Sequence, residues 1–231
     1  MFFRNFLSIK ILFLFICVTV LLVTIFLPGW HGLKADTCTK PFYDIPCNHW
    51  ALESITWAKN RGITYGFSDG SFRPDLEALR ETMIVYVVRY TAGETLYCGG
   101  TLCENAPQYF ADVDPSHPFY KYIQYAGYKK ITLGCYQFDN GIRYFCPTRP
   151  LRRFEAVAFI VRAIYGENFS YSSTPYFSDV PSSHPFFKYI QKFKEMGLTR
   201  GIGSSGSIFC PDRYVSRAEA VTYLCKLAGA C

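Results

Sequence analysis

The chain has 231 residues, of which 50% are hydrophobic, 18% aromatic and 18% charged, and this composition is typical of one or two globular domains. The formal net charge is +6, and +3 remains when Arg4, Lys10 and Lys34 at the start of the chain are left out. Nucleic-acid-binding domains usually concentrate basic residues in one patch. The composition therefore argues against a nucleic-acid partner and suits an anionic polymer that is bound at a few defined sites.

Residues 1–35 have the pattern of an export signal. A basic start is followed by an uncharged apolar run over residues 11–27, which Pro28-Gly29 interrupts. The run is long for a signal core and short for a membrane-spanning helix, so a cleaved signal peptide and a retained N-terminal anchor both stay open. Either alternative predicts a secreted, extracellular or cell-envelope protein that meets a membrane only through residues 11–27, and only if the segment is not cleaved.

The ten cysteines also favour export. Cys17 lies in the apolar run, and most of the others form close pairs, which in an oxidising compartment indicate disulfides. Zinc binding is the weaker alternative, because the spacings are not C-x-x-C and the histidines are far from the cysteine pairs. We predict no metal and no cofactor. The close pairs are Cys38/Cys47, Cys98/Cys103 and Cys135/Cys146.

Cys210 has a less obvious partner. It corresponds to Cys146 in the repeat described below, but the position that corresponds to Cys135 holds Ile202. Cys225 or Cys231 is therefore the candidate partner of Cys210. One thiol is left over, which is either free or links two chains.

An internal repeat organises most of the chain. Asp44, Asp112 and Asp179 are separated by 68 and then 67 residues, and three other residue types keep the same offsets. These are His49, His117 and His184; Thr64, Thr132 and Thr199; and Gly66, Gly134 and Gly201. A fixed period of this length indicates one supersecondary unit that is repeated and packs against its neighbours. The predicted units are residues 42–93, 109–166 and 176–229.

Each unit is predicted to contain two helices joined by a loop. In the third unit the first helix starts near Pro185, runs along an apolar face that includes Ile190 and Phe193, and ends at Gly197. The second helix starts after Ser216, which forms a capping box with Glu219. Strand signals are short and weak, so the fold class is predicted to be mainly α.

Three motifs carry a resemblance to a known family. The opening motif is Phe177-Ser178-Asp179-Val180 in the third unit, and the glycine-rich middle motif is kept best over residues 62–74. The last motif is closest at Ser216-Arg217-Ala218-Glu219. Together, over nearly all of residues 42–229, these units resemble the S-layer homology family, a module that is usually present in three tandem copies. The second and third units resemble a cysteine-containing subtype.

The resemblance implies a fold and a function. The fold is a pseudo-threefold arrangement of three helix–loop–helix repeats around a central helical bundle. The function is non-catalytic anchoring at the cell envelope, by binding anionic, often pyruvylated, polysaccharide in grooves between the repeats. The sequence departs from the family pattern at Thr82, where an acid is expected, and at Asn140-Gly141 and Ser205-Gly206, where Asp-Gly is expected. Not every groove need therefore bind ligand.

The candidate ligand-binding residues are mainly arginines. Arg80, Arg153 and Arg217 follow the helix-start position of each unit, and a guanidinium can hold a carboxylate or phosphate through two parallel hydrogen bonds. The alternative is that each arginine braces a neighbouring loop. The other glycan-binding candidates are Asp69, Gly70, Trp50 and Arg200. Glu155 and Glu219 are predicted to be helix caps, and the repeated histidines are predicted to cap and pack. The repeated aspartates, Asp44, Asp112 and Asp179, are predicted to tie down the turn before the first helix through Asx-type hydrogen bonds rather than to bind ligand.

The sequence contains no motif of a common enzyme class, such as G-x-S-x-G, H-E-x-x-H or a phosphate-binding loop. We therefore predict that the chain is not an enzyme. A pair of carboxylates for glycoside cleavage stays open, because distances in space are not visible in the sequence. A second functional hypothesis is a structural envelope protein that assembles through contacts with itself or other surface proteins, and a third is a small glycan-processing enzyme.

Overall fold

The structure is a computed structural model that describes residues 38–231, so the predicted export signal lies outside the described residues. The described part is helix-rich, as the sequence predicts. Its α-helices are α1 (Leu52–Asn60), α2 (Arg80–Ala92), α3 (Tyr120–Tyr128), α4 (Arg153–Tyr165), α5 (Phe187–Glu195) and α6 (Arg217–Leu227). Two short antiparallel hairpins pair β1 (Tyr97–Cys98) with β2 (Thr101–Leu102), and β3 (Tyr136–Gln137) with β4 (Arg143–Tyr144). Across residues 38–231, none of the helices has the length and apolar character that a membrane crossing needs.

The predicted helix signals are confirmed, with small shifts at the ends. The Ser216 hydroxyl accepts a hydrogen bond from the backbone N–H of Glu219, whose carboxylate in turn accepts one from the N–H of Ser216. This capping box starts α6 where the sequence predicts it. Helix α5 starts at Phe187 rather than Pro185, because residues 183–186 form a turn in which His184 Nδ1 accepts the N–H of Phe186 at 3.1 Å. His49 and His117 accept equivalent hydrogen bonds.

The helices pack in a regular order. Helix α2 contacts both α4 and α6, and each of the shorter helices packs on a longer one: α3 on α2, α5 on α4, and α1 on α6. The first helix of each predicted unit therefore packs on the second helix of another unit. The apolar residues between them are fully buried; they include Met83, Ile84, Val157, Val161, Val221 and Leu224.

A closed cycle of backbone hydrogen bonds joins the segments that precede the three long helices. Ala78 N–H donates to the carbonyl of Val215 at 2.7 Å, Val215 N–H to Leu151 at 3.0 Å, and Leu151 N–H to Ala78 at 2.9 Å. Because these residues come directly before α2, α4 and α6, the cycle brings the three helix starts together. The arginine at each start then lies against a different predicted unit.

The repeated aspartates accept hydrogen bonds from residues about 30 positions away in the chain, and not from the neighbouring turn. Asp112 accepts the N–H groups of Phe145 and Cys146 at 2.7 and 2.6 Å, and Asp179 accepts those of Phe209 and Cys210 at 2.8 and 2.6 Å. Asp44 accepts the equivalent N–H groups of Phe72 and Arg73 at 2.9 and 2.7 Å. The expectation of Asx-type hydrogen bonds is therefore wrong. Each carboxylate ties the start of a unit to the segment before its second helix, where Cys146 and Cys210 adopt positive φ angles of 58° and 56°.

Eight of the nine cysteines in residues 38–231 are disulfide-bonded. The pairs Cys98–Cys103 and Cys135–Cys146 form as predicted, and Cys38 and Cys47 are both disulfide-bonded. The predicted pairing of Cys210 is wrong. Cys225 binds Cys231, six residues further along its own chain, and Cys210 stays a partly buried thiol. No cluster of metal-ligating side chains occurs among the described residues.

A charged cluster connects α4 to α5. The Glu167 carboxylate binds Arg162 at 2.7 Å and Lys188 at 2.8 Å, and it accepts a hydrogen bond from the Tyr189 hydroxyl at 2.5 Å. Burial alone would raise the pKa of Glu167, but the hydrogen bonds from Lys188 and Tyr189 and the charge of Arg162 lower it from 4.5 to about 2. An equivalent cluster around Glu94 connects α2 to α3.

The Glu167 cluster predicts a pH dependence of stability. Since the pKa is lower in the folded than in the unfolded state, the stabilisation is complete above pH 4.5 and is lost as the pH falls towards about 2. We expect the melting temperature of the wild-type protein to fall over this range by more than that of Glu167→Gln, which has no charge to lose. If the melting temperatures of the two proteins fall by the same amount between pH 7 and pH 2.5, this account is contradicted.

Candidate functional site

The three repeated arginines are all buried, and each reaches into another predicted unit. Arg80 Nε donates to the carbonyl of Phe145 at 2.8 Å, and Arg217 Nε donates to the carbonyl of Phe72 at 2.7 Å. Arg153 instead uses a terminal nitrogen, which donates to Thr199 Oγ1 at 3.0 Å. The bracing role that the sequence left open is therefore present at all three positions. The three arginines differ in the contacts that their other guanidinium nitrogens make.

Arg80 is closed off by an internal carboxylate. Its side chain lies 2.8 Å from Glu155, which also pairs with Arg149, and Arg80 is only 1% exposed. Burial lowers the pKa of Arg80 to about 10, and the negative charge of Glu155 opposes that effect. A ligand in solution does not reach this guanidinium in the described arrangement.

Arg153 lies in an open cleft of about 410 Å³ beside α6, which we call the α6 groove. The loop after α5 contributes Thr199 and Arg200, α6 contributes Tyr223 and Lys226, and Trp50 comes from the segment before α1. Four basic side chains and one acidic side chain line the groove: Arg153, Arg200, Arg213, Lys226 and Glu219. Glu219 is bound by Arg213 through two contacts of 2.5 and 2.9 Å, so the other three cations have no acidic partner within the groove.

Two polar atoms of the α6 groove are buried without a hydrogen-bond partner in the described part of the chain. They are Arg153 Nε and the Tyr223 hydroxyl, on residues that are 4% and 6% exposed. Burial raises the pKa of Tyr223 to about 12, so its hydroxyl keeps its proton at neutral pH and can donate. Leaving a buried donor unpaired costs about 1–3 kcal/mol, and such atoms in a native protein call for a ligand, a water or another explanation.

A second open cleft of about 400 Å³ lies beside α2, and we call it the α2 groove. It uses equivalent positions of the repeat: Tyr86 corresponds to Tyr223, Arg89 to Lys226, and Thr82 to Glu219. Its tyrosine hydroxyl has a protein partner among the described residues, unlike that of Tyr223, since the Tyr86 hydroxyl lies 3.2 Å from Thr64 Oγ1. Aromatic residues occupy much of its wall; they are Tyr65, Phe67, Tyr86 and Phe119.

The α2 groove has less uncompensated positive charge than the α6 groove. Its lining contains Arg89, Arg217, Glu77 and Glu81, and Arg89 already pairs with Glu94 at 2.9 Å. Glu81 lies 3.2 Å from His117 Nε2. Burial raises the pKa of Glu81, and the interaction with His117 opposes this effect.

The other predicted site residues fall into two groups. Trp50 and Arg200 join Arg153 in the α6 groove. Asp69 and Gly70 lie in an exposed turn and are not part of the lining of either groove. The Asp69 carboxylate is already occupied by Ser71 and Arg73, and mainly the hydrogen bonds from Ser71 lower its pKa to about 2.

Sequence reasoning missed several lining residues, above all Tyr223 and Lys226. Tyr223 lies on the apolar side of α6 and has the appearance of a core residue. A comparison of the units does contain a signal: six residues after the repeated arginine the chain has Tyr86 and Tyr223 in two units but Phe159 in the other. The hydroxyl is therefore present beside the two open grooves and absent near Arg80.

Comparison with known proteins agrees with the resemblance seen in the motifs. Residues 41–84 and 176–221 match the S-layer homology domain. These segments overlap the first and third predicted units, so the presence of another repeat between them, and the cysteine-containing subtype, remain predictions.

Similar full-length proteins carry cell-surface names. The chain is 25% identical over 194 residues to the S-layer protein sap of Bacillus anthracis and, equally, to an S-layer protein of Bacillus thuringiensis subsp. finitimus; 81% of this chain is covered in each case. It is 28% identical over 131 residues, or 54% of its length, to cell surface glycoprotein 1 of Acetivibrio thermocellus. The matched region spans 21% of each S-layer protein and 5% of the glycoprotein.

Proposed function

We propose that this chain is a non-catalytic module of the bacterial cell envelope that anchors by binding an anionic envelope polysaccharide. The match to the S-layer homology domain and the cell-surface names of the relatives support this class of function. One structural observation carries the ligand assignment. The α6 groove combines buried, unpartnered donors of Arg153 and Tyr223 with the basic side chains of Arg200 and Lys226.

The chemistry of the α6 groove favours a sugar that bears a carboxylate, such as a pyruvate ketal. A carboxylate oxygen would accept hydrogen bonds from Arg153 Nε and the Tyr223 hydroxyl, and so remove the cost of leaving both unpaired. Arg200 and Lys226 are exposed and supply further positive charge. The Trp50 ring, 62% exposed, offers a flat apolar surface for the C–H face of a sugar ring.

We also infer that three helix–loop–helix units form a pseudo-threefold arrangement with α2, α4 and α6 at its centre. The closed hydrogen-bond cycle of Ala78, Leu151 and Val215 supports this arrangement, as do the equivalent packing partners of the short helices. In this arrangement the α2 and α6 grooves are two of three equivalent positions. The third position, at Arg80, is occupied by Glu155 and is not proposed to bind.

Binding to isolated envelope polysaccharide tests the function directly. The purified full-length protein is titrated with the polymer before and after mild acid treatment that removes pyruvate ketals. We expect removal of the carboxylates to weaken binding by about tenfold or more, because charge-assisted hydrogen bonds to the α6 groove are lost. Equal affinity for both polymers would contradict an acidic-sugar site.

A second candidate function, assembly with other surface proteins, is favoured by one exposed aromatic surface. The hairpin of β3 and β4 carries Tyr136, Phe138 and Ile142, all exposed, and the Tyr136 and Phe138 rings pack edge to face at 4.6 Å. Exposed apolar patches commonly mark interaction sites. If the protein binds neither form of the polysaccharide, this second function becomes the better explanation.

A further inference from the structure

We propose that the α2 groove is a second carbohydrate subsite with a different selectivity, and that it takes an uncharged sugar. The proposal rests on the proposed function, because it assumes that the chain binds an envelope polysaccharide. In this proposal each of the two grooves binds a different kind of sugar unit of the same polysaccharide. The α6 groove takes the acidic one and the α2 groove takes a neutral one.

The electrostatics of the two grooves differ although they use the same repeat positions. The lining of the α2 groove contains the carboxylates of Glu77 and Glu81 beside Arg217 and Arg89, and Arg89 already pairs with Glu94 at 2.9 Å. Glu81 is held towards His117 at 3.2 Å. A carboxylate ligand would meet these two acids, whereas the hydroxyl groups of a neutral sugar would donate hydrogen bonds to them. The two carboxylates therefore select against the acidic sugar that suits the α6 groove.

Arg217 supplies the donors at the base of the α2 groove. It is 6% exposed, and among the described residues the one hydrogen bond of its side chain runs from Nε to the carbonyl of Phe72. Its terminal nitrogens have no protein partner there, and its guanidinium lies 4.5 Å from the ring centre of Phe67 and 4.8 Å from that of Phe72. Charged donors without a protein partner, in the lining of an open cleft, can donate to a ligand that offers acceptor oxygens.

The wall of the α2 groove suits the apolar face of a pyranose ring. Tyr65 is 64% exposed at the groove, and Arg89 lies over its ring at 4.8 Å. Phe119 lines the same cleft. Sites that combine aromatic walls with a few placed polar groups are typical of small-molecule recognition. The combination of aromatic wall, guanidinium donors and carboxylate acceptors matches the alternating C–H and hydroxyl groups of an uncharged sugar.

Two sites on one module would bind one polymer more tightly than either site alone. The second binding event becomes intramolecular once the first sugar is bound, which raises the overall affinity without a new contact. Acidic and neutral residues of the same polysaccharide chain would then contribute separately. Their contributions can be separated by removing the acidic groups.

The experiment is a titration of the full-length protein with untreated polysaccharide and with the same polysaccharide after its ketals are removed. The wild-type protein should retain weak binding to the stripped polymer, and Tyr65→Ala should reduce that residual affinity about fivefold or more. Trp50→Ala, in the α6 groove, should mainly weaken binding to the untreated polymer. Tyr176→Ala, an exposed tyrosine outside both grooves, controls for changes of the surface.

The outcomes distinguish this inference from the proposed function. Absence of wild-type binding to the stripped polymer would overturn the neutral subsite and leave the acidic site intact. Wild-type affinity of Tyr65→Ala for the stripped polymer would also overturn it. If removal of the ketals has no effect on the wild-type affinity, the acidic-sugar function fails instead. Circular dichroism of each variant establishes that the fold is unchanged, which is expected because Tyr65, Trp50 and Tyr176 are exposed.

Discussion

Replacement of Glu155 by alanine is expected to lower the free energy of unfolding by about 3–5 kcal/mol, because it leaves the buried guanidinium of Arg80 without its counter-charge. Arg80 is 1% exposed, and one of its terminal nitrogens already has no hydrogen-bond partner in the described part of the chain. The substitution also removes the acceptor for the backbone N–H of Arg152 at the start of α4. Urea denaturation of the wild-type protein and the variant, with disulfides intact, measures the difference.

Glu219→Ala is the matched control for this effect. Glu219 occupies the same capping position at the start of α6 and pairs with Arg213, as Glu155 pairs with Arg149. It makes no ion pair with a buried arginine, so its loss should cost only about 1 kcal/mol, the usual value for a helix cap. Equal destabilisation by the two substitutions would mean that Arg80 does not depend on Glu155. In that case the burial of Arg80 would have to be explained by packing alone.

Replacement of Tyr223 by phenylalanine is expected to weaken binding of the anionic polysaccharide about five- to tenfold and to leave stability unchanged or slightly increased. The Tyr223 hydroxyl is buried without a hydrogen-bond partner among residues 38–231. Its removal therefore breaks no hydrogen bond in the unliganded protein, but removes a donor that the bound carboxylate would use. Titration with untreated polymer and thermal melting measure the two effects on one protein sample.

Tyr86→Phe provides the comparison at the equivalent position. The Tyr86 hydroxyl is hydrogen-bonded to Thr64, so its removal should cost about 1 kcal/mol of stability. The two substitutions delete the same atom and are expected to affect stability differently. A loss of stability in Tyr223→Phe without any loss of affinity would show that the hydroxyl has a structural partner, such as an ordered water, and would argue against its role in the groove.

The repeated arginines illustrate how one sequence motif acquires different roles. Arg80, Arg153 and Arg217 occupy the same position after a helix start, and each contacts another predicted unit. Their surroundings are set by one neighbouring position, which is Glu155 near Arg80, Glu219 near Arg153 and Thr82 in the α2 groove with Arg217. Glu155 turns towards the arginine and pairs with it, whereas Glu219 is held by Arg213, so that Arg153 lies in the lining of the groove without a carboxylate partner there.

The sequence by itself determined the features of this protein that depend on residues close together in the chain. Helix positions, the capping box of Ser216 and Glu219, and the short-loop disulfide Cys98–Cys103 were all predictable. Their causes are helical periodicity, a hydrogen bond within one turn, and a loop too short to hold its cysteines far apart. The repeat offsets also located the arginines that the grooves share.

Only the tertiary structure decided which of these positions lines an open groove. Arg217 finds its acceptor 145 residues away at Phe72, and Arg80 finds Glu155 at a separation of 75 residues. The free thiol of Cys210 and the long-range hydrogen bonds of the repeated aspartates were mispredicted for the same reason. Partners at such separations are chosen by how the units pack, and each unit has the same local pattern. The burial and charge around each arginine therefore follow from the neighbouring unit, which the local sequence does not specify.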